Sequence, residues 1–194
     1  MKQRTPLLLA ATLLLVATSA CAQDLDARRP LMRMAIDNAE RGQFDANAAA
    51  TLRDHPLYAW LEYSTLRRDI DTLDKARASD FLQRHQGQPV AETFRNAWLA
   101  ELARRRDWPA LLGNWRPNRD PALQCAELDA RLATGKADAQ WTSDVQALWR
   151  GSGKSLPDAC DPVFATLAER GGLTPALRWE RIDAAADARQ PAMM

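Results

Sequence analysis

Apolar side chains recur along this chain at the intervals of an α-helix. Val90, Phe94, Trp98 and Leu102 step by four, Cys125, Leu128 and Leu132 by three and four, and Trp141, Val145, Leu148 and Trp149 likewise. Nowhere do apolar and polar residues alternate long enough to propose a strand. The punctuation agrees with the period. Proline follows His55, Gln88, Asp120, Asp161 and Thr174, and a proline suits the first helical position because its missing N–H has no partner there. Asp120, Asp161 and Thr174 carry side-chain oxygens suited to N-caps. Gly42, Gly87, Gly135 and Gly171 follow polar or charged last turns, where glycine takes the left-handed conformation that ends a helix. The pattern predicts an all-α protein of about nine or ten helices of roughly 8 to 16 residues, joined by short turns. So many short antiparallel helices favour a solenoid of stacked hairpins over a four-helix bundle.

Residues 1–22 break the pattern. Lys2 and Arg4 precede the apolar run Leu7 to Ala17, and Ala20-Cys21-Ala22 has the small-x-small form that signal peptidase accepts. This is the layout of a secretory signal peptide cut between Ala22 and Gln23. Its apolar core of about 11 residues is short of the roughly 20 that span a bilayer, so no stable membrane insertion is expected. A lipoprotein anchored at Cys21 is the alternative, although Thr18 stands where a larger aliphatic residue is usual before an acylated cysteine.

The expected mature chain, residues 23–194, forms one helical domain with no linker or charge block. The whole sequence's 46% hydrophobic content suits a packed core. The whole chain has 26 basic and 25 acidic side chains, and loss of Lys2 and Arg4 leaves it close to neutral. That balance excludes the basic footprint of a nucleic-acid binder. With Cys21 removed, Cys125 and Cys160 are the remaining cysteines. An even pair in an exported, oxidising compartment reads as a disulfide worth roughly 4 kcal/mol in the chain-entropy model, less any native strain. Two buried free thiols are the alternative.

Residue chemistry adds little to this. His55 and His85 have no metal-ligand partner at a suitable spacing, so no metal or cofactor is expected. His55 falls in a turn before Pro56, and His85 near the negative end of its helix. Gly153-Lys154-Ser155 suggests a phosphate loop, but Leu148 stands where that motif needs glycine and no strand precedes it; Ser155 reads instead as a cap for a short helix through Pro157 and Cys160. Acidic side chains mix with basic ones on polar faces, Glu101 beside Arg104 and Arg105 for example, as on a solvated surface. No carboxyl stands out as the apolar, raised-pKa acid that glycoside cleavage needs. Seven tryptophans offer faces for sugar rings, but most lie on apolar helix sides, where core packing is the simpler reading. Trp108 and Trp141 each open a helix, and the 133–139 turn has the small-Gly-small look of a tetratricopeptide junction, without a strict repeat.

Several blocks together resemble one family. They are His55-Pro56-Leu57-Tyr58, Trp60-Leu61-Glu62-Tyr63, Ala97-Trp98-Leu99, Leu148-Trp149, Gly153-Lys154-Ser155-Leu156-Pro157, Ala159-Cys160-Asp161-Pro162, Gly171-Gly172-Leu173-Thr174 and Trp179-Glu180-Arg181-Ile182. From about Leu57 to Ile182 the chain resembles the amino-terminal superhelical region of the soluble lytic murein transglycosylases. The resemblance implies an irregular α-superhelix, periplasmic localisation, a Cys125–Cys160 disulfide and, in the complete enzymes, cleavage of the N-acetylmuramic acid to N-acetylglucosamine bond with a 1,6-anhydro product. The implied partners are peptidoglycan glycan strands and cell-wall proteins. The family's catalytic glutamate precedes a serine in a carboxyl-terminal lysozyme-like domain. Here Glu62 precedes Tyr63, Glu92 precedes Thr93 and no Gly-Leu-Met-Gln block occurs. The expectation is a scaffold region without that domain, inactive alone, or a stand-alone tetratricopeptide-like module that binds protein or glycan.

Overall fold

The computed structural model describes residues 25–151 and 153–190. The expected cleavage between Ala22 and Gln23, and the anchor alternative at Cys21, lie outside the described residues. Among those described there are ten α-helices and no strand. Helix α1 runs through residues 25–40, followed by α2 (Ala46–Ala50), α3 (Tyr58–Arg68), α4 (Lys75–Arg84), α5 (Pro89–Arg104), α6 (Trp108–Asn114), α7 (Pro121–Ala133) and α8 (Ala139–Arg150). A 3-10 turn (Asp158–Cys160) then leads into α9 (Asp161–Glu169) and α10 (Pro175–Asp187). None of the described helices is long and apolar enough to cross a membrane.

The local chemistry sets these boundaries. Asp45, Asp74, Asp107, Asp120 and Asp138 each accept a backbone N–H at the start of α2, α4, α6, α7 and α8, and Thr174 does so for α10. Gly42, Gly87, Gly135 and Gly171 all have positive φ, from 73° to 81°, the conformation expected of them. Two expected caps are absent. Asp161 has helical φ and ψ of −58° and −46° because the 3-10 turn runs straight into α9. It is therefore a first-turn residue, and Cys160 holds the cap position without a side-chain bond. Ser155 points its hydroxyl at the Leu156 carbonyl and caps nothing. Pro157 precedes the 3-10 turn instead.

The structure forms two compact units that divide between Phe94 and Arg95, within α5. In the first, Met32, Ala39, Ala49, Leu52 and Leu61 form one apolar cluster. Phe81 meets Phe94 edge to face at 4.8 Å and stacks obliquely on His85 at 4.6 Å. Charged links run over this core: Arg28 pairs with Asp54, and Glu62 takes hydrogen bonds from Arg84 and contacts His85 Nε2 at 2.7 Å.

In the second unit α7 is central, packing against α6, the 3-10 turn, α8 and α9, while α8 also meets α9 and α10. Leu128, Trp141, Val145, Val163 and Leu167 form its core, and the buried Trp141 indole N–H donates to the Leu128 carbonyl at 2.8 Å, which removes the cost of an unpaired polar group. Cys125 and Cys160 are joined by a disulfide. Arg181 is buried, donates to the Trp149 carbonyl at the end of α8 and to the Lys154 carbonyl, and lies 4.3 Å over the Trp149 ring. A cation is favoured at a helix C-terminus because the last carbonyls lack partners there. Gly153 touches α10: a Cβ on it would sit 2.1 Å from the Ala184 carbonyl oxygen.

Glu101 overturns the solvated-surface reading. It is only 6% exposed, and its carboxylate takes hydrogen bonds from both Arg104 and Arg105. Arg104 first, and Arg105 after it, hold its pKa at about 2 against burial, which pushes it up.

Candidate functional site

A cavity of about 710 Å³ opens between α7 and α8 in the second unit. Helix α7 contributes Gln124, Glu127, Leu128 and Arg131, and α8 with its C-cap contributes Asp144, Ala147, Leu148 and Gly151. Each set is spaced i, i+3, i+4, i+7, one face of a helix. The α6–α7 connection adds Trp115, Pro117, Asn118 and Arg119, Pro121 opens α7 beside them, and Leu156 completes the lining. Asp120 and Asp138 fix where the two helices begin. The disulfide fastens the 3-10 turn, four residues after Leu156, to the middle of α7.

Most polar groups here already have partners within the protein. Asn118 accepts the Asp120 N–H at 2.8 Å, donates to Asn96 at 2.6 Å and offers its carbonyl to the Gln124 amide at 2.6 Å. Arg131 donates to Asp144 at 2.6 Å and reaches Asp138 at 3.5 Å. Asp144 also accepts from Gln140 at 2.8 Å. Glu127 differs. Its nearest charged partner is Arg131 at 3.7 Å, beyond hydrogen-bonding distance, although its side chain is only 14% exposed. Burial lifts its carboxyl above the ordinary glutamate range; Arg131 opposes this and Asp144 adds to it.

Sequence reasoning passed over Glu127 by assigning the acidic residues to caps and wet faces. The signal was available in the matching i, i+3, i+4, i+7 sets of α7 and α8, both mixing charged and apolar residues. The other expectations fall elsewhere. His55 lies in the turn after α2, its Nδ1 accepting the Leu57 N–H at 3.1 Å. His85 is the C-cap of α4. Glu62 is engaged by Arg84 and His85. Among the described residues no group of histidine, cysteine and acidic side chains is arranged to hold a metal ion. Trp98 and Trp141 are core residues, Trp60, Trp108, Trp115 and Trp149 are half-buried, and Trp179 is 64% exposed.

Chemically, the cavity is a groove with an aliphatic floor, one indole, and a balanced set of two guanidinium groups and two carboxyl groups. Asp144 accepts hydrogen bonds from Arg131 and Gln140. Glu127 can accept a hydrogen bond or, when protonated, donate one.

No family model matches the chain. It is 34% identical to the soluble lytic murein transglycosylase of Escherichia coli K12 over 188 residues, taking in 93% of this chain and 28% of that protein. The solved 70-kDa soluble lytic transglycosylase of Escherichia coli matches at a TM-score of 0.72 and 29% identity, over 86% of this chain and 26% of that one. An inactive mutant of the lytic transglycosylase from Pseudomonas aeruginosa matches at 0.72 and 28%, over 84% and 27%. The chain spans just over a quarter of the length of the relatives it matches. The expected fold class, an irregular all-α superhelix, is the one these structures share with it.

Proposed function

We propose that this chain, a relative of the soluble lytic murein transglycosylases over about a quarter of their length, is the scaffold region of a periplasmic enzyme of that kind acting on peptidoglycan. Residues 1–22 serve as its export signal and residues 23–194 as the helical region. The similarity running through 93% of the chain carries this reading. Cleavage of the bond between N-acetylmuramic acid and N-acetylglucosamine, with its 1,6-anhydro product, belongs on this reading to a separate catalytic region. Glycosidic cleavage needs an acid positioned at the leaving oxygen. Glu127 is the one groove carboxyl without a hydrogen-bonded partner in the protein, and its neighbours suit binding. The groove equally supports a stand-alone module that binds cell-wall material without chemistry.

Incubation with peptidoglycan sacculi separates cutting from holding. The purified chain is expected to release no anhydro-muropeptides. Release that disappears in the Glu127→Gln variant would overturn the scaffold reading and make Glu127 a catalytic residue.

A further inference from the structure

We propose that the groove between α7 and α8 binds a short segment of N-acetylhexosamine glycan, with the Trp115 indole against a sugar face and Glu127 hydrogen-bonded to a ring substituent. The volume of about 710 Å³ lies within the roughly 300–1,000 Å³ of small-molecule sites. Charge narrows the class of ligand. Arg119 and Arg131 balance Glu127 and Asp144, and Arg131 is already paired with Asp144. A polyanion would find no surplus of positive charge to neutralise, and a polycation would meet two guanidinium groups. A neutral ligand carrying both apolar faces and hydrogen-bonding edges meets neither objection.

The polar groups narrow it further. Asn118, Gln124 and Asp144 are hydrogen-bonded within the protein, so they hold the walls in shape. Glu127 faces the cavity without such a bond. Glu127 is half-buried, so its carboxyl is open to a ligand hydroxyl or amide N–H in place of water. Trp115 is half-buried at the groove rim. Its flat, amphipathic ring fits the axial C–H face of a pyranose while the indole edge stays in water. Leu128, Leu148 and Leu156 line the same space and supply apolar surface for an acetamido methyl. An extended peptide would instead need free backbone donors and acceptors along the wall, and two helices present none. The choice of an amino sugar rests on the peptidoglycan reading; the groove geometry does not depend on it.

The test titrates the purified chain with the N-acetylglucosamine tetrasaccharide, followed by amide chemical shifts, with the glucose tetrasaccharide as a control. Sedimentation with sacculi runs in parallel. Saturable shifts are expected in residues 115–131 of the α6–α7 connection and α7 and in α8, with at least about tenfold weaker binding of the glucose oligomer. Trp115→Ala should weaken binding about tenfold and Glu127→Gln severalfold, while Trp115→Phe, which keeps a stacking face, retains most of the affinity and separates loss of the ring from loss of the fold. Trp179→Ala, on an exposed residue outside the groove, should bind normally. Absence of saturable shifts, shifts confined to the first unit, or equal affinity for the glucose oligomer would overturn the assignment. Sedimentation with sacculi unaffected by Trp115→Ala would overturn the groove while leaving the peptidoglycan reading intact. Tetrasaccharide binding without sedimentation would support the groove and count against that reading.

Discussion

The two units are held by different means. The first relies on apolar packing, in the Met32–Leu61 cluster and the Phe81–Phe94 contact, with ion pairs such as Arg28–Asp54 and Arg84–Glu62 spread over partly exposed positions. The second adds a covalent link at Cys125–Cys160, a buried guanidinium at the end of α8, and a glycine pressed against the α10 backbone. Exposed ion pairs contribute little individually, so the first unit depends on its core volume. The second adds these specific links to its own core, and the disulfide ties the segment after Leu156 to α7, which lines the groove. A binding wall made of short helices has to be fixed at its ends, or its side chains lose their relative positions.

This contrast is open to attack by substitution, and the effects rank. Phe81→Ala should cost about 4 kcal/mol, by lost transfer energy and the cavity left behind, with amide protection falling first in α3 and α4. If protection fell first in α8 and α9, the units would not be held separately as described. Replacing both Cys125 and Cys160 by serine should cost about 3 kcal/mol, read by urea denaturation, and hydrogen exchange should accelerate around the 3-10 turn and α7. Arg181→Ala should cost about 2 kcal/mol, because the Trp149 carbonyl in α8 and the Lys154 carbonyl beyond it lose charge-assisted hydrogen bonds; Arg181→Lys, unable to span both carbonyls, should recover only part of it.

The smallest effect is a pH dependence. Glu101 is held at about 2, below its ordinary 4.5. As pH falls, the unfolded chain takes up this proton first, so the stability contributed by Glu101 is full above about pH 4.5 and is lost as pH drops towards about 2. The melting-temperature gap between the natural chain and Glu101→Gln should therefore shrink across that window. A constant gap would mean that the two arginines do not stabilise the ionised form.

Much of the fold was legible because its signals are local. Four glycines with positive φ, and the prolines opening α5, α7 and α10, each announce a boundary within one turn of chain. What escaped depended on neighbours that a local reading does not see. Asp161 looked like a cap, but the preceding 3-10 turn had already placed it in helical geometry. Glu101 looked wet because it sits among arginines, whereas it is buried with both of them paired to its carboxylate. Glu127 drew no notice among the mixed acidic and basic residues of the polar faces. Its character comes first from burial, while Arg131 bonds to Asp144 on another helix and stays 3.7 Å from it. The Cys125–Cys160 link was proposed from the compartment and the resemblance. Its effect on the groove follows only from seeing which elements it joins.

The central claim is that the second unit carries the ligand surface while the first is framework. Hydrogen–deuterium exchange of the natural chain, with and without saturating N-acetylglucosamine tetrasaccharide, tests this most directly. Ligand-induced protection is predicted in residues 115–131 and in α8, with α1 to α4 exchanging at unchanged rates. Protection centred on α1 to α4, or none at all, would contradict it.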